Sequence, residues 1–419
     1  MRSCLLVAIT VVAFLTSNGY ADTREPRLPL ITAPFVVQPP TIDGHINIDE
    51  WRGASGAATF LRYGSDRLSS ERTEFWICHD RSALYLAWRR HQNRIPKAEI
   101  TARDGALWGD DSVEVFLQPK QDAGPYYQFI GNAAGVFWDS EGTDGTWNGE
   151  WTYAASVTTS YWEAELRIPW MTIFSKMPSE GDVLGFNMCI DNQSQPPVSD
   201  TWSPLGTAPF HDPGKFGSLI IGGTAPAVRI KSPVDISSSK IGAVVDVNNL
   251  ATEKKAVRIT SEMHRGGNLL DTQSKDIDLD SKTAESADMM KPVGLGDYDV
   301  KISVLDISAG SPILLAAQQI TGISIGKPPI VTLSPDGKRL DAVVDLSGKS
   351  MLEGARFYAV LTSEDRDIAG QIVTLKAGMQ VVKTSLDLTR VKPGSYTLSI
   401  SIINGARRLM EYKQVVVKK

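Results

Sequence analysis

Short runs in which apolar and polar residues alternate dominate the first two hundred residues. Thr73–His79 (TEFWICH) reads as a strand, Asp80–Ala83 as a turn, and Leu84–Arg90 (LYLAWRR) as the returning strand of a hairpin. Asp111–Leu117 (DSVEVFL) alternates with Val113, Val115 and Leu117 on one face, which turns Ser112, Glu114 and Phe116 to the other. Tyr126–Ile130, Tyr161–Ile168 and Leu184–Ile190 are further strands. The one helical segment is Trp170–Phe174, with Pro169 at its entry. The pattern predicts an all-β chain opening with one large β-sandwich.

The second half repeats itself. Ala243–Val247 (AVVDV) recurs as Ala342–Leu346 (AVVDL), and Gly296–Asp306 (GDYDVKISVLD) recurs at nearly the same spacing as Gly394–Asn404 (GSYTLSISIIN). Two matched segments at one spacing predict two copies of one module. Their size and strand pattern predict smaller immunoglobulin-like sandwiches at 225–325 and 326–419. The turn-prone stretch Gly222–Pro226 marks the border with the first module. All ten tryptophans lie before it, between Trp51 and Trp202, so chemistry that uses flat ring faces belongs to the first half. The repeats carry no reactive grouping and read as spacers or as docking modules for envelope or partner proteins.

Composition narrows the class. With 42% hydrophobic and 22% charged residues the chain is globular, and a formal charge of −5 without basic runs argues against nucleic-acid binding. Arg2, the apolar run Leu5–Leu15 and Gly19-Tyr20-Ala21 form a secretory signal over 1–21, cleaved near Ala21. The run is far shorter than the ~20 residues that span a bilayer, so no transmembrane anchor is expected. Cys4 precedes it, too early for a lipid-modified cysteine. The expected location is secreted, periplasmic or cell-surface, with 22–35 as an N-terminal extension. Two cysteines then remain, Cys78 and Cys189. They either form one disulfide, as export permits, or stay as two small buried thiols.

Trp108 stands just before the strand that carries Glu114. A flat ring beside a fixed carboxylate suits a sugar: the ring stacks on the C–H face of a pyranose, and the carboxylate accepts bonds from its hydroxyls. A core tryptophan beside a solvated glutamate is the alternative.

Residues ~36–222, within the segment 36–224, resemble a family 9 carbohydrate-binding module of the broader DOMON-like sandwich group. The matching pieces are Ile42-Asp43-Gly44 with Asp49-Glu50-Trp51, Asp80–Leu86, Trp108–Phe116, Tyr127-Gln128-Phe129 with Gly135, Trp162–Pro169, Gly185-Phe186-Asn187 with Asp191, and Phe216-Gly217. The resemblance implies a chain-end sugar clamped between two tryptophans, with a carboxylate and amides on its hydroxyls. Trp108 and Glu114 fall on the first ring and the carboxylate, and Trp202 near the second ring. Gln128, Asn132 and Asn192 are the polar candidates. Where members use an arginine after the central strand, this sequence has Ile130 or an amide. Members also carry structural calcium, for which Asp139, Glu141 and Asp144 offer oxygens. No other cofactor is expected.

No paired-carboxylate, Ser/His/Asp, zinc or P-loop signature stands out, so the chain reads as non-catalytic, in the service of glycan breakdown beside glycoside hydrolases. The alternative from the same sandwich group is b-type haem held by Met and His. It would draw on Met171, Met177 or Met188 with His79, His91 or His211. A sandwich that has lost its ligand is the third reading.

Overall fold

The structure is a computed structural model. It describes residues 27–418 apart from 70, 93, 194–196, 236–238, 295, 326–328, 347–353, 364–365, 377 and 405–406. The expected signal segment lies outside the described residues. No described helix is long and apolar enough to cross a membrane.

The first module contains β1 (Leu30–Ala33), β2 (Ser55–Ala57), β3 (Leu61–Arg62), β4 (Arg67–Leu68), β5 (Thr73–His79), β6 (Ala83–His91) and β7 (Ser112–Gln118). It continues with β8 (Tyr127–Asn132), β9 (Phe137–Glu141), β10 (Thr152–Val157), β11 (Tyr161–Pro169), the one-turn helix α1 (Trp170–Ile173), β12 (Val183–Asn192), β13 (Val198–Thr201) and β14 (Gly217–Ile221). One sheet runs β13-β12-β7-β8-β9, and the facing sheet runs β10-β11-β6-β5-β2. The alternation seen in the sequence decides which side of each strand is buried between them. Val113, Val115 and Leu117 of β7 meet Phe75, Ile77 and Trp88 of the opposite sheet in one apolar core.

Two local features fix the sheet that carries the site. A Cβ on Gly131 would sit 2.3 Å from the Tyr153 ring, so only glycine lets β8 pass beneath it. Tyr153 Oη then donates to Asn132 O at 2.7 Å. Arg90 of β6 crosses to Asp200 of β13 at 3.0 Å and also donates to Thr73 Oγ1. Both ions are almost wholly buried, and their mutual bonding is what makes that burial tolerable.

The second module comprises β15 (Ala227–Ile230), β16 (Val234–Asp235), β17 (Lys240–Ile241), β18 (Val244–Asn248), β19 (Lys255–Arg265), β20 (Asn268–Leu279), β21 (Ala284–Asp288), β22 (Lys291–Pro292), β23 (Gly296–Asp306) and β24 (Ile313–Ile325). Strands β15-β18-β21 oppose β20-β19-β23-β24, and β16-β17-β22 form a small side sheet. The third comprises β25 (Ile330–Leu333), β26 (Arg339–Asp345), β27 (Arg356–Ser363), β28 (Arg366–Thr374), β29 (Val381–Asp387), β30 (Gly394–Asn404) and β31 (Arg407–Lys418). There β25-β26-β29 oppose β28-β27-β30-β31. The sequence repeat thus becomes a repeated three-against-four strand order.

The chain passes the border at Gly222–Pro226 without leaving the sheets. Strand β15 runs parallel to β2 through Arg229–Gly56 and Ile230–Ala57, and β1 pairs with β24 through Leu30–Ala317 and Ile31–Ala316. Gln318 Nε2 donates to Thr59 O at 2.9 Å inside this junction. One apolar core runs from Ile31 to Ile325, whereas the third module has a core of its own. The first two modules are therefore coupled where the sequence reading expects separable halves. A fragment ending at residue 224 should melt about 4–8 °C below one ending at 325, because it leaves the β1 and β2 edges and Thr59 without partners. Equal melting temperatures in a calorimetric comparison would show that the junction adds nothing.

Candidate functional site

The outward face of the β13-β12-β7-β8-β9 sheet carries a polar ribbon with one side chain from each strand. Ser140 Oγ of β9 donates to Gln128 Oε1 of β8 at 3.3 Å, and Gln128 Nε2 donates to Glu114 Oε2 of β7 at 2.6 Å. The carboxyls of Glu114 and Asp191 of β12 hydrogen-bond to each other. Ser199 Oγ of β13 closes the ribbon by donating to Asp191 Oδ1 at 3.2 Å, and Ser112 Oγ donates to Asp191 Oδ2 at 3.4 Å. Strand alternation brings these positions to one side, because Val113, Val115, Met188 and Ile190 occupy the other.

Glu114 is only 4% exposed, so it forms the floor of the face and not its rim. Burial and the neighbouring Asp191 charge push its carboxyl well above the usual range. Asp191 is also raised by burial, but the Glu114, Ser199 and Ser112 hydrogen bonds favour its ionised form. Burial and mutual repulsion thus favour a protonated carboxyl in this pair, most strongly at Glu114. The sequence reading expects the reverse, an ionised Glu114.

Trp108 lies at the edge of this face in the short 3-10 turn Leu107–Gly109. Leu107 is buried beneath the turn while Trp108 is 51% exposed. The turn is tied from both sides: Gln193 Nε2 donates to Trp108 O at 2.7 Å, and Lys97 Nζ donates to Gly109 O at 2.8 Å. Asp110 and Asp111 hold the flanking loops by accepting from the Glu99, Ile100, Lys97 and Gln193 amides. The ring that meets Trp108 is Trp138 of β9, edge to face at 5.8 Å. Trp138 escaped the sequence reading, although the alternation Phe137-Trp138-Asp139-Ser140 places it beside Ser140 on this face.

Several expected site residues are elsewhere. Trp202 is 1% exposed and packs between Phe75 and Phe186 in the inter-sheet core, so it cannot form a second sugar wall. Asn132 spends its amide on Ile100 O and Asp110, and its oxygen on the Ala134 and Val136 amides. Asn192 accepts from Arg94, which also bridges to Asp111. Both asparagines hold loops and do not face a ligand. Gln128 and Glu114 are brought together as expected by the resemblance.

The disulfide is excluded by geometry. Cys78 packs with Trp51 and Trp76 on the outside of one sheet, and Cys189 with Phe116 and Phe216 on the outside of the other. Both are free, buried thiols, pushed up by burial. The calcium candidates diverge. Asp139 accepts from Trp151 Nε1 at 2.5 Å and pairs with Arg103, while Asp144 caps its own turn through Thr146. Among the described residues no three His, Cys, Asp or Glu side chains converge on a metal position. Among the described residues the haem reading finds no axial pair either. His79 bonds the Asp80 and Gly222 carbonyls, His91 bonds Glu74, His211 bonds Tyr126, and Met188 is in the core.

Comparison with known proteins identifies the module that carries this face. Residues 42–224 match the family model described as "Carbohydrate family 9 binding domain-like". The chain is 24% identical over 277 residues to endo-1,4-beta-xylanase A of Thermoanaerobacterium saccharolyticum, covering 65% of this chain and 22% of that protein. It is 25% identical over 240 residues to exoglucanase XynX of Acetivibrio thermocellus, covering 55% and 21%. It thus spans about a fifth of the length of either relative. Among solved structures, a family 9 carbohydrate-binding module from Caldicellulosiruptor kristjanssonii in complex with cellotriose is 19% identical with a TM-score of 0.37. That likeness covers 46% of this chain and 94% of that one. Residues 42–224 are thus a carbohydrate family 9 binding domain-like module.

Proposed function

We propose that the chain is an exported, non-catalytic carbohydrate-binding protein that takes the end of a β-linked gluco- or xylo-oligosaccharide on this sheet face. The observation that carries the reading is the ribbon Ser140–Gln128–Glu114–Asp191–Ser199 beside the Trp108–Trp138 corner. Trp108 supplies the stacking face, and the partly exposed Asp191 supplies an acceptor for hydroxyls, held from beneath by the buried Glu114 and Gln128. Carboxyls in mutual contact leave no room for a glycosidic bond, which needs two such groups about 5–10 Å apart. This supports binding without hydrolysis. The match to polysaccharide-degrading relatives supports a role in glycan catabolism. Export rests on the Arg2 and Leu5–Leu15 pattern, and the third module, with its own core, is the part suited to docking on a partner.

The test is a calorimetric titration of the whole protein with cellobiose and xylobiose. At least one should bind, and Trp108→Ala should weaken it about tenfold. The loss combines a stacking contact worth about 0.5–1.5 kcal/mol with the apolar area that the sugar no longer covers. Trp108 is half exposed, so the melting temperature should not move. Equal affinity in the variant would place the site elsewhere.

A further inference from the structure

At the opposite end of the same sheet face lies a second aromatic group. Phe116 follows Glu114 on that face, about 7 Å further along β7. Over it close three loops of separate origin. The β3–β4 turn brings Tyr63, the β7–β8 loop brings Tyr126, and the β13–β14 loop brings Phe210 and His211. The buried members, Phe116, Cys189, Leu205 and Phe216, are enough to anchor these loops. Tyr63, Tyr126 and Phe210 remain partly open, and His211 is exposed.

Their rings are held in place. Tyr126 Oη bonds His211 Nδ1 at 2.9 Å, the two rings are 5.9 Å apart, and Tyr63 meets Phe210 edge to face at 5.2 Å. Contact with the Phe116 and Tyr126 rings partly desolvates the otherwise exposed His211 imidazole and lowers it below its ordinary value, which favours the neutral ring as an acceptor for the phenol. His211 Nε2 has no partner among the described residues. Fixed, partly open rings with polar edges suit a pyranose, which needs a flat apolar wall and nearby hydrogen-bonding groups.

We infer that Tyr126, His211 and Phe210 form a second stacking platform for a further sugar residue of the β-linked oligosaccharide whose end lies at Trp108. This inference rests on the sugar-binding reading above. On β7 the row of Phe116 lies two residues, about 7 Å, beyond the row that Glu114 shares with Trp138, and the rings that close over Phe116 stand beyond it, so a longer oligosaccharide is needed to reach both groups. The platform therefore reads chain length.

The experiment is a titration of the full chain with cellobiose and cellohexaose. It compares wild type with His211→Ala and Tyr126→Ala, each checked for an unchanged circular dichroism spectrum. Wild type should bind cellohexaose about tenfold more tightly than cellobiose, since one added stacking contact with its covered area is of that size. Both variants should bring the two affinities together while leaving cellobiose binding unchanged. His211→Ala keeps the test decisive if Tyr126→Ala fails to fold, because His211 is exposed. If neither sugar binds wild type, the platform is overturned, and if xylobiose does not bind either, the sugar-binding reading fails with it. If cellobiose binds and is weakened by Trp108→Ala, but cellohexaose has no advantage or keeps it in His211→Ala, the platform alone is overturned.

Discussion

Replacing Trp202 by alanine is expected to lower folding stability by about 3–5 kcal/mol, the range for emptying a large aromatic site in a packed core. Its ring is wedged between Phe75 at 5.7 Å and Phe186 at 5.1 Å, and a Cβ on Gly217 would come within 2.9 Å of it. Neighbours this tight cannot collapse into the space. Trp202→Phe should cost much less. The indole Nε1 is buried with no acceptor among the described residues, so removing that donor offsets part of the lost area. Chemical denaturation of the two variants measures both effects. Sugar affinity of folded Trp202→Phe should equal that of wild type. A tenfold loss of affinity without loss of stability would return Trp202 to the ligand and overturn its assignment to the core.

The contrast between Trp202 and Trp108 shows what the sequence could and could not carry. Period-two alternation gave β5 over Thr73–His79 without error and β7 within a residue, because one buried face dictates it. It also put Glu114 on the outward face. The same rule would have found Asp191, one residue beyond the strand expected over Leu184–Ile190, and Trp138 beside Ser140. Trp202 follows the end of β13, where alternation no longer fixes direction, and family resemblance could not replace it. The asparagines were misread for another reason. Asn132 and Asn192 serve loops formed by Ile100 and Arg94, distant in sequence, so local spacing held no sign of that work. The junction of the first two modules is equally non-local. Short edges such as β1 and β2 look like ordinary strands until β24 and β15 are seen beside them.

Stability should fall with rising pH through the range in which Glu114 loses its proton, and Glu114→Gln should remove that fall. The folded Glu114 carboxyl titrates well above 4.5, its ordinary value. Between those two values the native state holds one proton more than the unfolded chain. Linkage then makes stability decline as pH rises, with a slope approaching about 1.4 kcal/mol per pH unit, and the full contribution is present only below the ordinary value. The groups that face Glu114 sustain this direction. Asp191 and Cys189 lie on β12, Asp111 adds negative charge near Asp191, and on β8 Gln128 is neutral. Arg94 pairs with Asp111 at 2.7 Å and also bonds Asn192, so its charge is directed at Asp111 and not at Glu114. Glutamine cannot ionise, yet its amide can donate to Asp191 as the protonated acid does, so the ribbon stays closed at every pH. Melting temperatures of wild type and Glu114→Gln, followed from pH 4 to 9, should therefore diverge upward in pH, with the variant the more stable at the alkaline end. Parallel curves would mean that Glu114 is ionised in the native state and that the proton-sharing pair does not exist.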